Sequence, residues 1–228
     1  MSSQSTVEYY RGLDAGVNDA RGGHHAADLA IRSVDFGRIE AFIREERWTA
    51  AGEFLAAAAG DLEAAGADVV LMATNTMHRV APAIEAALSV PFVHIVDPTA
   101  AAVREAGLDT VGVLGTAPVM EGEFYADRFA DHGVDVLVPD ADDRALVDEV
   151  IFEELTRGEI RDRSRDAYLR VIDELAAAGA EGVVLGCTEI ELLVDPADTD
   201  VPLFDTTALH VERGVEVALS GVDAAVDA

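Results

Sequence analysis

Short apolar runs alternate along the chain with longer stretches in which apolar positions recur every three or four residues. The runs Leu29–Val34, Val69–Ala73, Phe92–Ile95, Thr110–Leu114, Val134–Val138, Gly182–Gly186 and Leu203–Phe204 read as buried strands. Between them, Ala50–Ala65, His78–Leu88, Val119–His132, Ala145–Leu155 and Ile160–Ala178 carry helical patterns. Gly66 and Gly179 each follow a long helical stretch and precede a strand, where a glycine ends a helix without a steric penalty. Strands alternating with helices predict an α/β fold with parallel sheets.

The pattern repeats. Ala64-Ala65-Gly66-Ala67-Asp68 followed by VVLMATNT matches Ala177-Ala178-Gly179-Ala180-Glu181 followed by GVVLGCTE, without a gap. The offset is 113 residues and sets Thr74 on Cys187. Each copy runs on to a strand opened by Val-Pro, at Val90-Pro91 and Val201-Pro202. Both copies then enter similar turns, Asp97-Pro98-Thr99-Ala100 and Asp205-Thr206-Thr207-Ala208. Helix–Gly–strand alone is common in α/β proteins, whereas the shared order of all these parts points to duplication. The expectation is two pseudo-symmetric lobes, 1–96 with 208–228 and 97–207, each a parallel sheet flanked by helices. Ligands of such sheets bind beyond the carboxyl ends of the strands. Thr74 and Cys187 stand at those ends, so the repeat predicts that they face each other across a cleft between the lobes.

Charge changes the picture next. Asp and Glu number 44 against 16 basic residues, for a net charge of −28, and Lys is absent. Such a surface repels nucleic acid and anionic membranes, which need Lys/Arg patches. Disorder needs low hydrophobicity, but half of this chain is hydrophobic and its mean hydropathy is +0.18. A solvated acidic shell on a folded protein, the halophilic solution, fits better. Without Lys there is no Schiff base for pyridoxal phosphate and no P-loop. No His/Cys/Asp spacing suggests a metal site, and His24 and His25 read as loop residues. One cysteine, no long apolar run and no basic-then-apolar start point to a cytoplasmic protein.

Two acid/base groups on opposite faces of one carbon suit a reaction that removes a proton from one side and returns it to the other. A thiol is apt, because local dipoles and charges can lower its pKa. The ATNTMHRV segment (Ala73–Val80) and the GCTEIELL segment (Gly186–Leu193) resemble the paired signature motifs of the aspartate/glutamate racemases. The resemblance extends over STVEYYR (Ser5–Arg11), SVDF (Ser33–Phe36), IFEEL (Ile151–Leu155) and FDTTALH (Phe204–His210), and is strongest to the enterobacterial-type and broad-specificity members.

The resemblance implies cofactor-independent racemisation of a small amino acid, aspartate or glutamate first, by a homodimer. It implies Cys187 and Thr74 as catalytic residues, with Met1, Asn75, Thr76, Thr188 and Glu189 about the substrate. Arg44 and Arg157, with Arg47 and Arg161 as rivals, are the candidates for a distal carboxylate.

Two departures stand out. Most relatives carry Cys in both motifs, and a Thr hydroxyl is a far weaker base, able to act through water or a neighbour such as His78. The family's most similar branch also has Thr there. Slower turnover with unequal rates for the two enantiomers is therefore expected, at an equilibrium constant of one. Relatives also open with a hydrophobic strand and a GGM turn, and Met1 matches that Met. The first lobe is thus expected to lack a strand, through omission or a misassigned start codon. A true omission costs a neighbouring strand its ladder partner and shortens the substrate loop.

Each residue also has a plainer reading. Cys187 is the type of residue that fills a strand end by packing, and Thr74 the type that caps a helix. Asn75, Thr76 and Thr188 are capping residues by type. Glu189 and His210 each tune the thiol, bind the ammonium or make a structural hydrogen bond. A single-Cys decarboxylase or isomerase of the same superfamily, and a catalytically silent amino-acid-binding protein, are the rival functions.

Overall fold

The computed structural model describes residues 1–220. Two compact units divide the chain: Met1–His94 with the stretch from His210 onward, and Ile95–Leu209.

The Ile95–Leu209 unit holds four parallel strands, β3 (Thr110–Gly115), β4 (Asp135–Leu137), β5 (Gly182–Gly186) and β6 (Leu203–Asp205), in the order β4-β3-β5-β6. Parallel neighbours need a crossover, and helices supply it. Between β3 and β4 run α6 (Ala117–Glu121) and α7 (Glu123–Asp131), and between β4 and β5 run α8 (Ala141–Glu153) and α9 (Asp162–Ala177). The central pair is in register from Val111 opposite Gly182 to Gly115 opposite Gly186. Both faces are covered. Val183 and Leu185 pack with Val147, Ile151, Ile172 and Leu175, while Val184 joins Val111, Val113, Tyr125 and Phe129 on the other side. That is why β5 reads as an unbroken apolar run: a strand covered twice has no face to leave polar. Each fully buried Val or Leu side chain contributes roughly 1.5–3 kcal/mol.

The other unit contains α1 (Ser3–Arg21), α2 (Phe36–Arg44), α3 (Trp48–Ala64), α4 (Ala81–Glu85) and a two-stranded parallel sheet of β1 (Val70–Leu71) and β2 (Phe92–Val93). Ser2 caps α1, its side chain accepting from the Ser5 amide at 3.1 Å. Ile39, Phe42, Leu55, Met72, Met77 and Ile84 form the core.

A groove of about 830 Å³ lies against β1, lined among others by Met1, Leu55, Ala58, Leu71 and the segment 26–34. The Val70 amide donates to the Pro91 carbonyl at 3.0 Å, so the alternation of a parallel ladder turns the backbone groups of Leu71 away from β2.

The expected strand Leu29–Val34 does not form; these residues are irregular, with Leu29 and Ile31 exposed. The segment lines the groove together with β1, and among the described residues it has no ladder partner. Apolar composition gives a segment its preference, but a strand exists only where a neighbour takes its hydrogen bonds.

The expected helix His78–Leu88 splits into a 3-10 turn, Thr76–Val80, and α4, with Pro82 at the start of α4 where no N–H is needed. Val119–His132 splits at Gly122, whose extended ψ of 128° separates α6 from α7. Helices α1, α2, α5 (Val96–Glu105) and α10 (Thr206–Ser220) lie outside the helical stretches read from periodicity. No helix among the described residues is long and apolar enough to cross a membrane.

Candidate active site

Cys187 follows the last residue of β5, so an entirely buried strand fixes where it stands. The end of that strand is tightly built. A Cβ on Gly186 would lie 3.0 Å from the Leu114 carbonyl oxygen and 3.2 Å from Val119 Cγ1. Any side chain at this position would press on the carboxyl end of β3 and on the start of α6. The chain then turns sharply, the Ile190 amide donating to the Cys187 carbonyl at 3.1 Å before a 3-10 turn at Ile190–Leu192.

The Cys187 thiol is directed at a carboxylate. Its Sγ donates to Glu189 Oε2 at 3.2 Å, and Thr188 Oγ1 donates to the same oxygen at 2.6 Å. Burial pushes the thiol pKa up, and the negative charge of Glu189 pushes it further, against a smaller opposing backbone hydrogen bond. This corrects the expectation of a lowered thiol pKa: the resting sulfur is a protonated donor with a carboxylate beside it. Glu189 therefore both meets the thiol and takes a hydrogen bond from the Thr188 hydroxyl.

Periodicity gave no hint of two buried phenols that share this neighbourhood. Tyr125 and Tyr168 both have raised pKa values, chiefly through burial, with Cys187 a further contributor. Tyr168 donates to the Val147 carbonyl at 2.9 Å. Their helical spacing reads as core, and they are core; only the fold brings them near the sulfur.

Thr74 occupies the corresponding turn of the other unit. It lies just beyond β1, half-buried, with its amide donating to the Met72 carbonyl at 2.7 Å. The N-cap position of the following 3-10 turn belongs to Asn75, and Asn75 makes no side-chain cap bond. Thr74 therefore lies one residue before the cap position. Asn75 and Thr76 are buried beside it, and the Met1 amino group and Ser5 Oγ both donate to the neighbouring Ala73 carbonyl, the latter at 2.8 Å. Met1, Asn75 and Thr76 thus gather at the Thr74 turn, and Thr188 and Glu189 at the Cys187 turn.

His210 makes structural bonds: its Nε2 donates to the Val93 carbonyl at 2.9 Å, and its Nδ1 accepts from the Tyr9 hydroxyl at 2.7 Å. His24 and His25 lie in an exposed loop after α1. The arginine candidates all sit in ion pairs near their own position in the chain. Arg44 pairs with Glu40, and Arg157 with Glu153 at 2.8 Å. Arg47 meets Glu45 at 2.9 Å, while Arg161 reaches Glu154 at 2.8 Å and also Glu159.

Each unit thus ends a parallel strand in a turn, one bearing the Thr74 hydroxyl and the other the Cys187 thiol. The chain belongs to the Asp/Glu/Hydantoin racemase family, whose model matches residues 1–214. A chain from Yersinia pestis assigned to the Asp/Glu racemases is 46% identical, with a TM-score of 0.89 over 95% of this chain and 94% of that one. An aspartate racemase homologue from Pyrococcus horikoshii OT3 is 31% identical, with a TM-score of 0.81 over the same shares. A broad specificity amino-acid racemase of Bacillus subtilis is 26% identical over 70% of this chain and 68% of its own length. The family and its two-lobed α/β fold make this chain an isomerase of the amino-acid racemase type.

Proposed function

We propose that the protein racemises aspartate or glutamate without pyridoxal phosphate, Cys187 serving one face of Cα and Thr74 the other. The observation that carries this reading is the duplicated strand-end turn, with a thiol hydrogen-bonded to a carboxylate in one copy and a hydroxyl in the other. The α-proton is weakly acidic, so the developing negative charge needs fixed donors. We assign that task to backbone amides of the two turns, with Asn75, Thr76 and Thr188 about the substrate carboxylate. Met1 completes the Thr74 side, and Glu189 holds the thiol. Arg44 and Arg157 are our candidates for the distal carboxylate; each is exposed, and an exposed ion pair worth about 0–1 kcal/mol is readily exchanged.

Both directions follow from the same two groups. The protonated Cys187 thiol donates to the carbanion when Thr74, through its hydroxyl or a water it holds, takes the proton from the other face. In reverse, the thiolate abstracts and the Thr74 side returns the proton. The hydroxyl is the weaker base, so kcat differs between the enantiomers, while kcat/KM is equal because the equilibrium constant is one. The acidic surface fits a salt-rich cytoplasm, and the family resemblance leads us to expect a homodimer, which sedimentation tests.

The deciding experiment is exchange in deuterated buffer at molar KCl with L- and D-aspartate and glutamate. Loss of the Cα proton with inversion, abolished in Cys187→Ala, is the expected result. Exchange with retention would mean a one-base enzyme, and no exchange from the folded protein would turn attention to a single-thiol decarboxylase or isomerase, or to a silent binder.

A further inference from the structure

The carbonyl of Thr74 is held by an imidazole. His78 is buried, and its Nδ1 lies 2.7 Å from the Thr74 carbonyl oxygen. A carbonyl only accepts, so Nδ1 carries the proton and donates. The Thr74 amide is already bound to Met72 at 2.7 Å. The peptide groups on both sides of this residue are therefore clamped, and its side chain has only χ1 left to choose.

The ring itself has little room. His94 meets it edge-on at 4.5 Å between centroids, Phe92 packs at 5.5 Å and His210 at 6.0 Å. His210 is fixed in turn by Tyr9 and by the Val93 carbonyl, which ties the stack to α1 and β2. The nitrogen nearest Thr74 is engaged by its backbone, which is the geometry of a support rather than of a proton relay through that atom.

We propose that His78 is the positioning residue for Thr74, holding the turn so that the hydroxyl meets the substrate from a constant direction. The inference rests on the two-base reading above. Its consequence is one-sided: removing the Nδ1 donor disables the Thr74 face and leaves the Cys187 face working.

The test uses the full chain and reads exchange of the Cα proton into deuterated buffer separately for each enantiomer, together with inversion. In Thr74→Val, one enantiomer is expected to keep exchanging with retention, while exchange of the other and inversion are lost. His78→Leu should reproduce that pattern, with inversion and the Thr74-face exchange down at least about tenfold and the Cys187-face exchange within about twofold. The surviving exchange doubles as proof of a folded protein. His78→Asn, which restores an N–H near the Nδ1 position, should recover most of the lost activity. Equal loss on both faces in His78→Leu, or no recovery in His78→Asn, would overturn the positioning role. If Thr74→Val leaves both exchanges and inversion intact, the two-base reading fails first.

Discussion

At the level of single residues, the thiol of Cys187 and the carboxylate of Glu189 decide the pH behaviour. The neutral thiol is favoured by burial and by a like charge that would face the thiolate. The direction of catalysis that needs a thiolate should therefore accelerate as pH rises, and continue to do so above the ordinary thiol range near 8.5. Glu189→Gln removes the neighbouring charge but leaves the burial. The rise should move toward lower pH without reaching the behaviour of an exposed cysteine. Profiles of kcat against pH for each enantiomer check this, and an unmoved profile would mean that the carboxylate does not act on the sulfur. The paired positions were legible in sequence because the duplication aligned them. The carboxylate two residues on was visible only as a candidate, since a hydrogen bond between Cys187 and Glu189 depends on the sharp turn after β5.

At the level of elements, Glu154 shows how two helices are joined. It caps the C-terminus of α8, is buried, and accepts from Ser164 Oγ at 2.6 Å, with Arg161 at 2.8 Å and Arg163 at 3.1 Å. The Ser164 hydrogen bond, with the two arginines adding to it, holds its pKa below the usual carboxylate range. A depressed carboxylate contributes stability that is present above its unfolded pKa and lost as pH falls through the folded one. Glu154→Gln should therefore cost about 1–3 kcal/mol at pH 7. The difference should shrink in thermal melts at pH 3; an unchanged difference would show that shape, not charge, matters at this joint.

The groove makes a second contrast along one helix. Ala51 is fully buried in the core, whereas Ala58 lines the groove. Ala51→Leu should cost about 1–3 kcal/mol by overpacking, and Ala58→Leu should be neutral or stabilising in the same melts. Strands β3, β5 and β6 were readable because both faces are apolar and turn residues bound them. Leu29–Val34 carries Leu29, Ile31 and Val34 but also Arg32 and Ser33, and it forms no strand, because pairing is a property of neighbours that no window of sequence contains. Helix α2 escaped notice although Phe36, Ile39, Phe42 and Ile43 recur at helical spacing behind the Asp35 cap, because nine residues leave room for only that one short pattern.

For the whole molecule, the decisive number is the net charge of −28. All basic residues are Arg, and most of the ion pairs they make are exposed on at least one side, such as Arg11–Glu8 at 3.3 Å and Arg32–Asp61 at 3.0 Å. Exposed pairs contribute about 0–1 kcal/mol each, and salt weakens them. The excess carboxylates repel one another over the whole surface, and salt weakens that as well. The two effects have opposite signs, and the excess of 28 negative charges indicates that repulsion dominates. Raising ionic strength from 0.1 M to 1 M shortens the screening length from about 10 Å to about 3 Å, below the spacing of most surface charges. Stability should thus increase with KCl, by about 2–3 kcal/mol or roughly 5–10 °C in Tm. Most of the gain should come before about 1 M, because screening saturates once its length falls below the charge spacing. Thermal melts across a KCl series distinguish the cases. A Tm that falls would show that the arginine pairs outweigh the repulsion. A rise that stays linear to several molar, and that sulfate exceeds at equal ionic strength, would assign the effect to exclusion of salt from apolar surface.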